Sequence, residues 1–186
     1  MKFGMKFDKV YIETFKMEGN KMKDKFTNNL EETFDNFYTK GALLTVGDEN
    51  KANTMTISWG TVGFMWRRPM FVIMVRESRY SNEFLEVGKT YTISVPFDGA
   101  MKEALKICGT KSGRDTDKEK EAGFKYIPSK EVKTPIVEGC NKYYECKVVF
   151  KQEMDLDNMP EDMKNSFYGE GETKHIFYYG EIITQY

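Results

Sequence analysis

Within the eight residues from Asn53 to Gly60, the six inner residues alternate between hydroxyl-bearing and large apolar side chains. The hydroxyl residues are Thr54, Thr56 and Ser58. The apolar residues between them are Met55, Ile57 and Trp59. Successive side chains of a β-strand point to opposite faces, so one face of this strand would carry three hydroxyls and no charge. Such a face suits hydrogen bonding to an oxygen-rich ligand. An ordinary polar face, with threonines chosen because they favour strands, would give the same pattern.

A second polar run, Arg76 to Ser81 (R-E-S-R-Y-S), follows a predicted strand and precedes a predicted helix. Arginine offers a planar fork of donors, and the first turn of a helix leaves backbone N–H groups free. This junction could therefore bind a phosphate group. A charged loop with a serine helix cap is the competing interpretation, and Glu77 could neutralise one of the two arginines.

A third run, Cys108 to Asp115 (C-G-T-K-S-G-R-D), joins two predicted helices. Its Lys111 and Ser112 could contact a ligand or gate a pocket, and a solvated loop is the alternative. Cys108 falls on the apolar stripe of its helix, which favours a core position over a redox role. His175 is the only histidine. It begins the last predicted strand beside aromatic residues, where it could reach a bound ligand, within one subunit or across a dimer, or serve the structure alone.

The three runs resemble, in the expected order, the motifs of the flavin reductase-like, FMN-binding split-barrel family, whose members include flavoredoxins. With the pattern that flanks them, they cover most of the chain from about Lys40 to Tyr186. The resemblance implies that Asn53, Thr56 and Ser58 hydrogen-bond FMN and that Trp59 and Gly60 lie beside its ring system. The main phosphate candidates are Arg76, Ser78 and Ser81. The full set of predicted cofactor-binding residues is Asn53, Thr54, Met55, Thr56, Ser58, Trp59, Gly60, Arg76, Ser78, Arg79, Tyr80, Ser81, Lys111, Ser112 and His175.

Strands outnumber helices in the pattern of apolar and turn residues. Predicted strands are an early one around Val10–Ile12, then Ala42–Gly47, the hydroxyl strand after the turn Asp48–Lys51, Pro69–Val75, Thr90–Val95, Tyr143–Met154 and His175–Ile183, the last with a bulge at Gly180. Four helices are predicted. The first is short, is capped by Ser78 or Ser81 and ends near Gly88; the second is capped by Asp98, ends at Gly109 and has the apolar stripe Met101, Ala104, Leu105 and Cys108. The third begins with a Thr116–Glu119 capping box and ends at Gly123, and the fourth is a short helix or turn at Pro160–Phe167. Strands that follow one another through short links favour an antiparallel barrel with peripheral helices. The resemblance implies a mainly β (α+β) fold, a Greek-key split barrel of about six strands.

Composition limits the alternatives. The 186 residues fit one domain, 1–186, with a charged, weakly patterned peripheral segment at 1–30. A net charge of −1, from 28 basic and 29 acidic residues, argues against a general nucleic-acid or membrane-surface protein. Three cysteines without a C-x-x-C pair predict neither a disulfide framework nor a zinc site and favour the cytoplasm. The N-terminus lacks the continuous apolar core of a signal peptide, and no apolar run approaches the ~20 residues of a membrane span.

The predicted function is that of an FMN-binding redox protein. A G-x-G-x-x-G motif after a strand is missing from the sequence, so NAD(P)H would have to dock transiently against the flavin. FMN is favoured over FAD because the phosphate-binding run is compact and no adenine-binding segment is recognisable. The protein would transfer electrons between NAD(P)H or a reduced carrier and flavin or a partner protein. The alternatives are a flavoredoxin-type carrier that does not turn over NAD(P)H and a redox-silent flavin- or small-ligand-binding barrel. The resemblance also implies a homodimer.

Overall fold

The computed structural model describes residues 25–97 and 99–186. The strand predicted around Val10–Ile12 and the helix cap predicted at Asp98 lie outside these residues. No helix within them is long and apolar enough to span a membrane.

One antiparallel sheet of seven strands organises the described chain. Its strands are β1 (Ala42–Gly47), β2 (Ala52–Ile57), β3 (Gly60–Met65), β4 (Arg68–Arg76), β5 (Thr90–Val95), β8 (Lys142–Glu153) and β9 (His175–Gln185). Two further strands, β6 (Tyr126–Ile127) and β7 (Ile136–Val137), form a separate hairpin. The helices are α1 (Leu30–Thr39), α2 (Lys102–Thr110), α3 (Lys118–Ala122) and α4 (Glu161–Phe167). Short 3-10 helices cover Tyr80–Phe84 and Leu156–Asn158. The spatial order in the large sheet is β2-β1-β5-β8-β9-β4-β3.

The two edge strands of this sheet are neighbours in sequence. β2 and β3 lie at opposite ends of the strand order, yet only Ser58 and Trp59 join them. A chain can span at most about 11 Å over the three steps from Ile57 to Gly60. The sheet therefore has to curl until its edges approach each other, which gives a barrel split between β2 and β3.

The mainly β prediction is confirmed, but it missed several elements, among them the strand β3 and the helix α1. The strand β3 raises the number in the large sheet from six to seven. Its six residues include two glycines, and the buried and exposed side chains do not alternate strictly along the strand. The segment therefore lacks the usual sequence signal of a strand. The helix α1 was also not predicted, although Leu30, Phe34 and Phe37 recur at helical spacing. Phe37 is buried and packs against Phe71 of the barrel.

Gly180 occupies a position where only a hydrogen side chain fits. A Cβ on Gly180 would lie 2.1 Å from the hydroxyl oxygen of Tyr91, which is fully buried and donates to the Phe71 carbonyl. The bulge itself lies opposite, in β8, because Val148 pairs with Gly180 and Phe150 pairs with Tyr179. The prediction of a bulge at Gly180 is therefore corrected: the extra residue belongs to the partner strand.

The helices α2 and α3 cover the hydroxyl-bearing side of β2. The stripe predicted on α2 is confirmed, because Ala104, Leu105 and Cys108 are buried against Leu43 and its neighbours, and the helix runs one residue past Gly109. The helix α3 ends at Gly123 as predicted, but its cap is Asp117, whose carboxylate accepts from the backbone N–H of Lys120.

The serine cap predicted near residues 78–81 is wrong. The element there is a 3-10 helix, Tyr80–Phe84, whose cap position is Arg79 and which has no side-chain cap. The helix ends at Phe84 rather than near Gly88. Both candidate serines make other hydrogen bonds, which belong to the site described below.

Candidate functional site

Two small cavities adjoin along β2. The first, which we call the cationic cavity, has a volume of 180 Å³ and is bounded by β2, the 78–81 segment and the 108–114 loop. The second, which we call the aromatic cavity, has a volume of 220 Å³ and lies between the end of β2, the end of β4 and the start of β9. Both contain Met55, Thr56 and Arg79 in their walls. Their combined volume lies within the roughly 300–1,000 Å³ that is typical of small-molecule sites.

The structure brings nearly all of the predicted site residues to these two cavities. The cationic cavity collects Asn53, Met55, Thr56, Ser78, Arg79, Tyr80, Ser81, Lys111 and Ser112. The aromatic cavity collects Met55, Thr56, Ser58, Trp59, Arg76, Arg79 and His175. The curled sheet makes this possible, because it places the β2 edge beside the ends of β4 and β9.

Two predicted residues lie elsewhere. Thr54 is fully buried, and its hydroxyl lies 2.8 Å from the hydroxyls of both Thr45 and Tyr126. Gly60 begins β3, where a Cβ would lie 2.6 Å from the carbonyl oxygen of Val72. Both residues serve the packing of the barrel, so the hydroxyl of Thr54 faces the interior and is not open to a ligand.

Polar side chains of β2 hold the cavity walls together. The Asn53 amide donates to the Ser81 hydroxyl at 2.8 Å, and the Thr56 hydroxyl donates to the Leu105 carbonyl at 2.6 Å. A Cβ on Gly113 would lie 2.0 Å from Oδ1 of Asn53, so the 108–114 loop can approach only because this residue is glycine. Ser58 is exposed at the aromatic cavity, where its hydroxyl is open to a ligand.

Arg76 is committed to the protein itself. Its guanidinium donates to the carbonyls of Thr173 at 2.7 Å and Phe167 at 2.8 Å, and it pairs with the carboxylate of Glu172 at 2.9 Å. It also lies over the ring of Tyr168, 5.2 Å from the centroid. Arg76 therefore fastens the 167–173 segment to the end of β4, and the geometry does not favour it as the main phosphate residue.

Two further cations near the cationic cavity are paired with carboxylates. Lys111 pairs with Glu121, and Arg114 pairs with Glu83 at 2.6 Å. Arg114 also donates to the Ser78 carbonyl at 3.2 Å, and the Ser78 hydroxyl accepts from Thr173.

The exception is Arg79. Within residues 25–97 and 99–186 its guanidinium forms no hydrogen bond and no ion pair, and its residue is exposed. Because Arg79 borders both cavities, an uncompensated positive charge stands at their junction.

Lys118 is a cavity residue that the sequence prediction did not include. It is only 6% exposed, and its ammonium donates to the carbonyls of Thr54 at 2.8 Å and Cys108 at 3.4 Å. Burial lowers its pKa, and the positive charge of Arg79 acts in the same direction. Nothing in the local sequence distinguishes it from the other lysines of a charged helix, so only the packing of α3 against β2 identifies it.

His175 borders the aromatic cavity as a buried, neutral imidazole. Its Nδ1 lies 2.8 Å from the hydroxyl oxygen of Tyr168, and its ring lies 5.1 Å from that of Trp59. Burial, followed by the positive charges of Arg76 and Arg79, lowers the pKa of His175 from 6.5 to about 4.

The predicted core position of Cys108 is borne out by its burial, which raises the pKa of its thiol to about 11.

A larger cavity of 750 Å³ lies on the far side of Asn53, Gly113 and Lys118. Its walls mix acidic and basic side chains from the 48–51 turn, α3 and the β6–β7 hairpin, and Asn53 is the only predicted site residue among them. We therefore place the candidate site in the two smaller cavities, whose walls contain nearly all of the predicted site residues.

The family model for the flavin reductase like domain matches residues 34–183, which is most of the chain. The chain belongs to this family.

Several solved structures are similar to this flavin reductase-like chain. It is similar to the flavoredoxin of Methanosarcina acetivorans, with 28% sequence identity and a TM-score of 0.60 over 79% of this chain and 67% of that one. A split-barrel protein of Shewanella frigidimarina NCIMB 400 gives 19% identity and a TM-score of 0.60 over 98% and 80%. An NADH:FAD oxidoreductase of Streptomyces globisporus C-1027 gives 19% identity and a TM-score of 0.58 over 91% and 87%. The last two likenesses concern the fold alone, and they agree with the split barrel described above.

The donors of this flavin reductase-like site are suited to an organic anion rather than to a metal. In the part of the chain that the structure describes, no cluster of three or more His, Cys, Asp or Glu side chains is placed to hold a metal ion. The Arg79 guanidinium, which has no partner in the described part of the chain, and the Trp59 indole with the His175 imidazole would fit a ligand that has one anionic end and one flat aromatic end.

Proposed function

We propose that this protein binds FMN across the cationic and aromatic cavities and acts as a redox protein of the flavin reductase type. The observation that carries the proposal is the position of Arg79, a cation that has no partner among the described residues and lies at the junction of a cationic and an aromatic cavity. FMN has the matching shape, with a phosphate at one end of a flexible chain and a flat ring system at the other.

Each cavity has a role in this proposal. Arg79 and the hydroxyls of the 78–81 segment bind the phosphate, because arginine holds phosphate oxygens in a bidentate manner. Ser58, Trp59 and His175 border the ring system, with His175 neutral and fixed through Nδ1 by Tyr168. The bound flavin supplies the electron-transfer chemistry, and the chain supplies position, electrostatics and limited access of water.

Electrons would pass between NAD(P)H or a reduced carrier on one side and flavin or a partner protein on the other. A flavoredoxin-type carrier without NAD(P)H turnover is the second candidate, and the 28% identity to the Methanosarcina acetivorans flavoredoxin favours it. In either case a ring system bound beside Trp59 would lie near the protein surface, since Trp59 is 39% exposed and contacts the 43% exposed Phe167 at a ring-centroid distance of 5.3 Å. We further propose that the protein forms a homodimer, as the family membership suggests.

Two measurements on the purified protein test the proposal. Heat release of the cofactor followed by chromatography should give FMN; FAD would move the assignment to a dinucleotide, and failure to bind any added flavin would end it. Anaerobic mixing of the flavin-loaded protein with NADH and NADPH should then bleach the visible flavin band. Bleaching only by a reduced carrier protein would support the flavoredoxin-type role, and bleaching by neither would leave a redox-silent flavin-binding barrel.

A further inference from the structure

The helix α4 presents two large apolar side chains to solvent. Met163 is 45% exposed and Phe167 is 43% exposed, and their spacing of four residues places them on one face of the helix. The Phe167 ring meets the indole of Trp59 edge-on, and Trp59 is itself 39% exposed and borders the aromatic cavity. These three side chains, which we call the apolar face, therefore extend from the candidate site onto the protein surface. Exposed aromatic and methionine side chains of this kind are enriched at protein–protein interfaces.

The chain around this face is strongly acidic. Residues 153–172, which include α4 and which we call the acidic segment, contain seven acidic residues and one basic residue, although the whole chain has a net charge of only −1. All seven acidic residues are exposed. Three of them form ion pairs, with Arg76, Lys164 and Lys174. The other four have no cation partner in the described part of the chain; they are Asp155, Glu161, Asp162 and Glu170.

This charge decides which occupant suits the apolar face. A symmetric contact between two copies through this face would bring two acidic segments together, and like charges across an interface are unfavourable. Nucleic acids and anionic membranes would be repelled for the same reason. A protein with a basic surface would instead be attracted and oriented before contact. A small apolar centre with a charged surround is suited to the brief encounters of electron-transfer proteins, whose interfaces are small.

We propose that the apolar face and the acidic segment dock a small electron-carrying protein whose redox centre is surrounded by basic side chains. The inference rests on the proposed function in its carrier form, because a flavin ring beside Trp59 would lie next to the docked partner. The partner gains one electron for each electron that the flavin-loaded protein loses. Two partner molecules are therefore reduced in turn for each flavin that is oxidised, and the protons of the reduced flavin are released to water.

The test uses cytochrome c, a small basic haem protein, as the probe in calorimetric titrations of the full chain. Binding should be measurable at low ionic strength and weaken steeply as salt is added. Glu161→Gln combined with Asp162→Asn should weaken it on the order of ten-fold, as expected for the loss of two exposed ion pairs. The matched control is Glu31→Gln combined with Glu32→Gln, an equally exposed acidic pair in the first turn of α1, which should change the affinity little.

Two further variants of α4 separate charge from apolar contact. Lys164→Gln should strengthen the binding of cytochrome c, because it removes the one basic residue of the acidic segment and releases Asp157 from its ion pair. Met163→Ser should weaken binding at every salt concentration, because it removes apolar contact area without a change of charge. Both residues lie at the surface of a short helix, and unchanged circular dichroism would exclude a folding defect.

Several outcomes would overturn the inference. Equal weakening by the two acidic pairs would mean that the probe senses the overall charge of the chain. Failure of cytochrome c to bind at low ionic strength, or equally strong binding of an acidic plant-type ferredoxin, would refute charge-guided docking. A changed light-scattering mass in the Glu161→Gln, Asp162→Asn variant would assign the face to contact between copies. These titrations do not require flavin, so a chain that bound no flavin would end the proposed function while the docking of a basic protein was still decided.

Discussion

The hydroxyl oxygen of Tyr168 lies 2.8 Å from Nδ1 of His175, so the orientation of the one imidazole at the aromatic cavity depends on a segment outside the barrel. That segment is held in turn by Arg76, which donates to the carbonyls at both of its ends, Phe167 and Thr173. Arg76, Tyr168 and His175 thus form a chain of contacts that fixes a cavity side chain from behind.

The first prediction concerns the protonation of His175. Because its pKa in the folded state is about 4, below the ordinary 6.5, the unfolded chain binds more protons between these values. The contribution of His175 to the free energy of unfolding should therefore be complete above pH 6.5. It should decrease as the pH falls toward 4, by roughly 2–3 kcal/mol at most. Urea unfolding between pH 4.5 and 7.5 measures the trend, and His175→Gln should flatten it. Since the chain has one histidine, NMR of its imidazole reports the pKa directly; a value near 6.5 would contradict the prediction.

The second prediction separates Arg76 from Arg79. Arg76→Ala should lower the free energy of unfolding by roughly 1.5–3 kcal/mol, because a mostly buried guanidinium loses two carbonyl acceptors and Glu172. It should also raise the pKa of His175 by removing a nearby positive charge. The affinities of this variant for FMN and for riboflavin should decrease by similar factors. A selective loss of FMN would instead restore Arg76 as the phosphate residue that the motif suggests.

The third prediction is the reciprocal result for Arg79→Ala. This side chain is exposed and unpaired within the described part of the chain, so its removal should leave stability within about 0.5 kcal/mol of wild type. FMN should bind on the order of ten- to a hundred-fold more weakly, with riboflavin little affected. Arg114→Ala is the matched control, because that guanidinium is paired with Glu83 and should affect FMN far less. Comparable losses in both variants would mean that the phosphate senses the general positive charge rather than Arg79.

The fourth prediction tests the close packing inside the barrel. Gly180→Ala would place a Cβ 2.1 Å from the Tyr91 hydroxyl oxygen, so the variant should lose roughly 1–3 kcal/mol or more of stability. Gly63→Ala is the control: Gly63 also lies in a strand, and its nearest neighbour to an added Cβ would be 3.9 Å away. Denaturant unfolding should show a large effect for the first and a small one for the second. Equal effects would point to strand propensity rather than to the Tyr91 contact.

The fifth prediction concerns the assembly. Light scattering at micromolar protein concentration should give a mass near twice the 21.7 kDa of the chain, as expected for the proposed homodimer. A mass of 21.7 kDa would remove this proposal without affecting the flavin site.

The sequence by itself determined the family and predicted most of the residues that line the candidate site. Most strands were recognisable from alternating or continuous apolar residues. The three motifs are contiguous stretches, and many of their residues line the cavity walls, such as Asn53, Arg79 and Ser112. Local signals of this kind depend on neighbours along the chain, so they can be recognised without a structure. The unpredicted strand β3 lacked such a signal, because it contains two glycines and no clear period.

Only the tertiary structure decided which polar groups are available to a ligand. The resemblance favours Arg76 over Arg79 as a phosphate candidate, yet Arg76 donates to carbonyls 91 and 97 residues away, whereas Arg79 has no partner in the described chain. The hydroxyl of Thr54 is hydrogen-bonded to the hydroxyls of Thr45 and Tyr126, and Lys118 is buried by the packing of α3 on β2. Whether a charged or polar side chain is free depends on partners and burial contributed by distant segments, and a linear pattern carries no information about either.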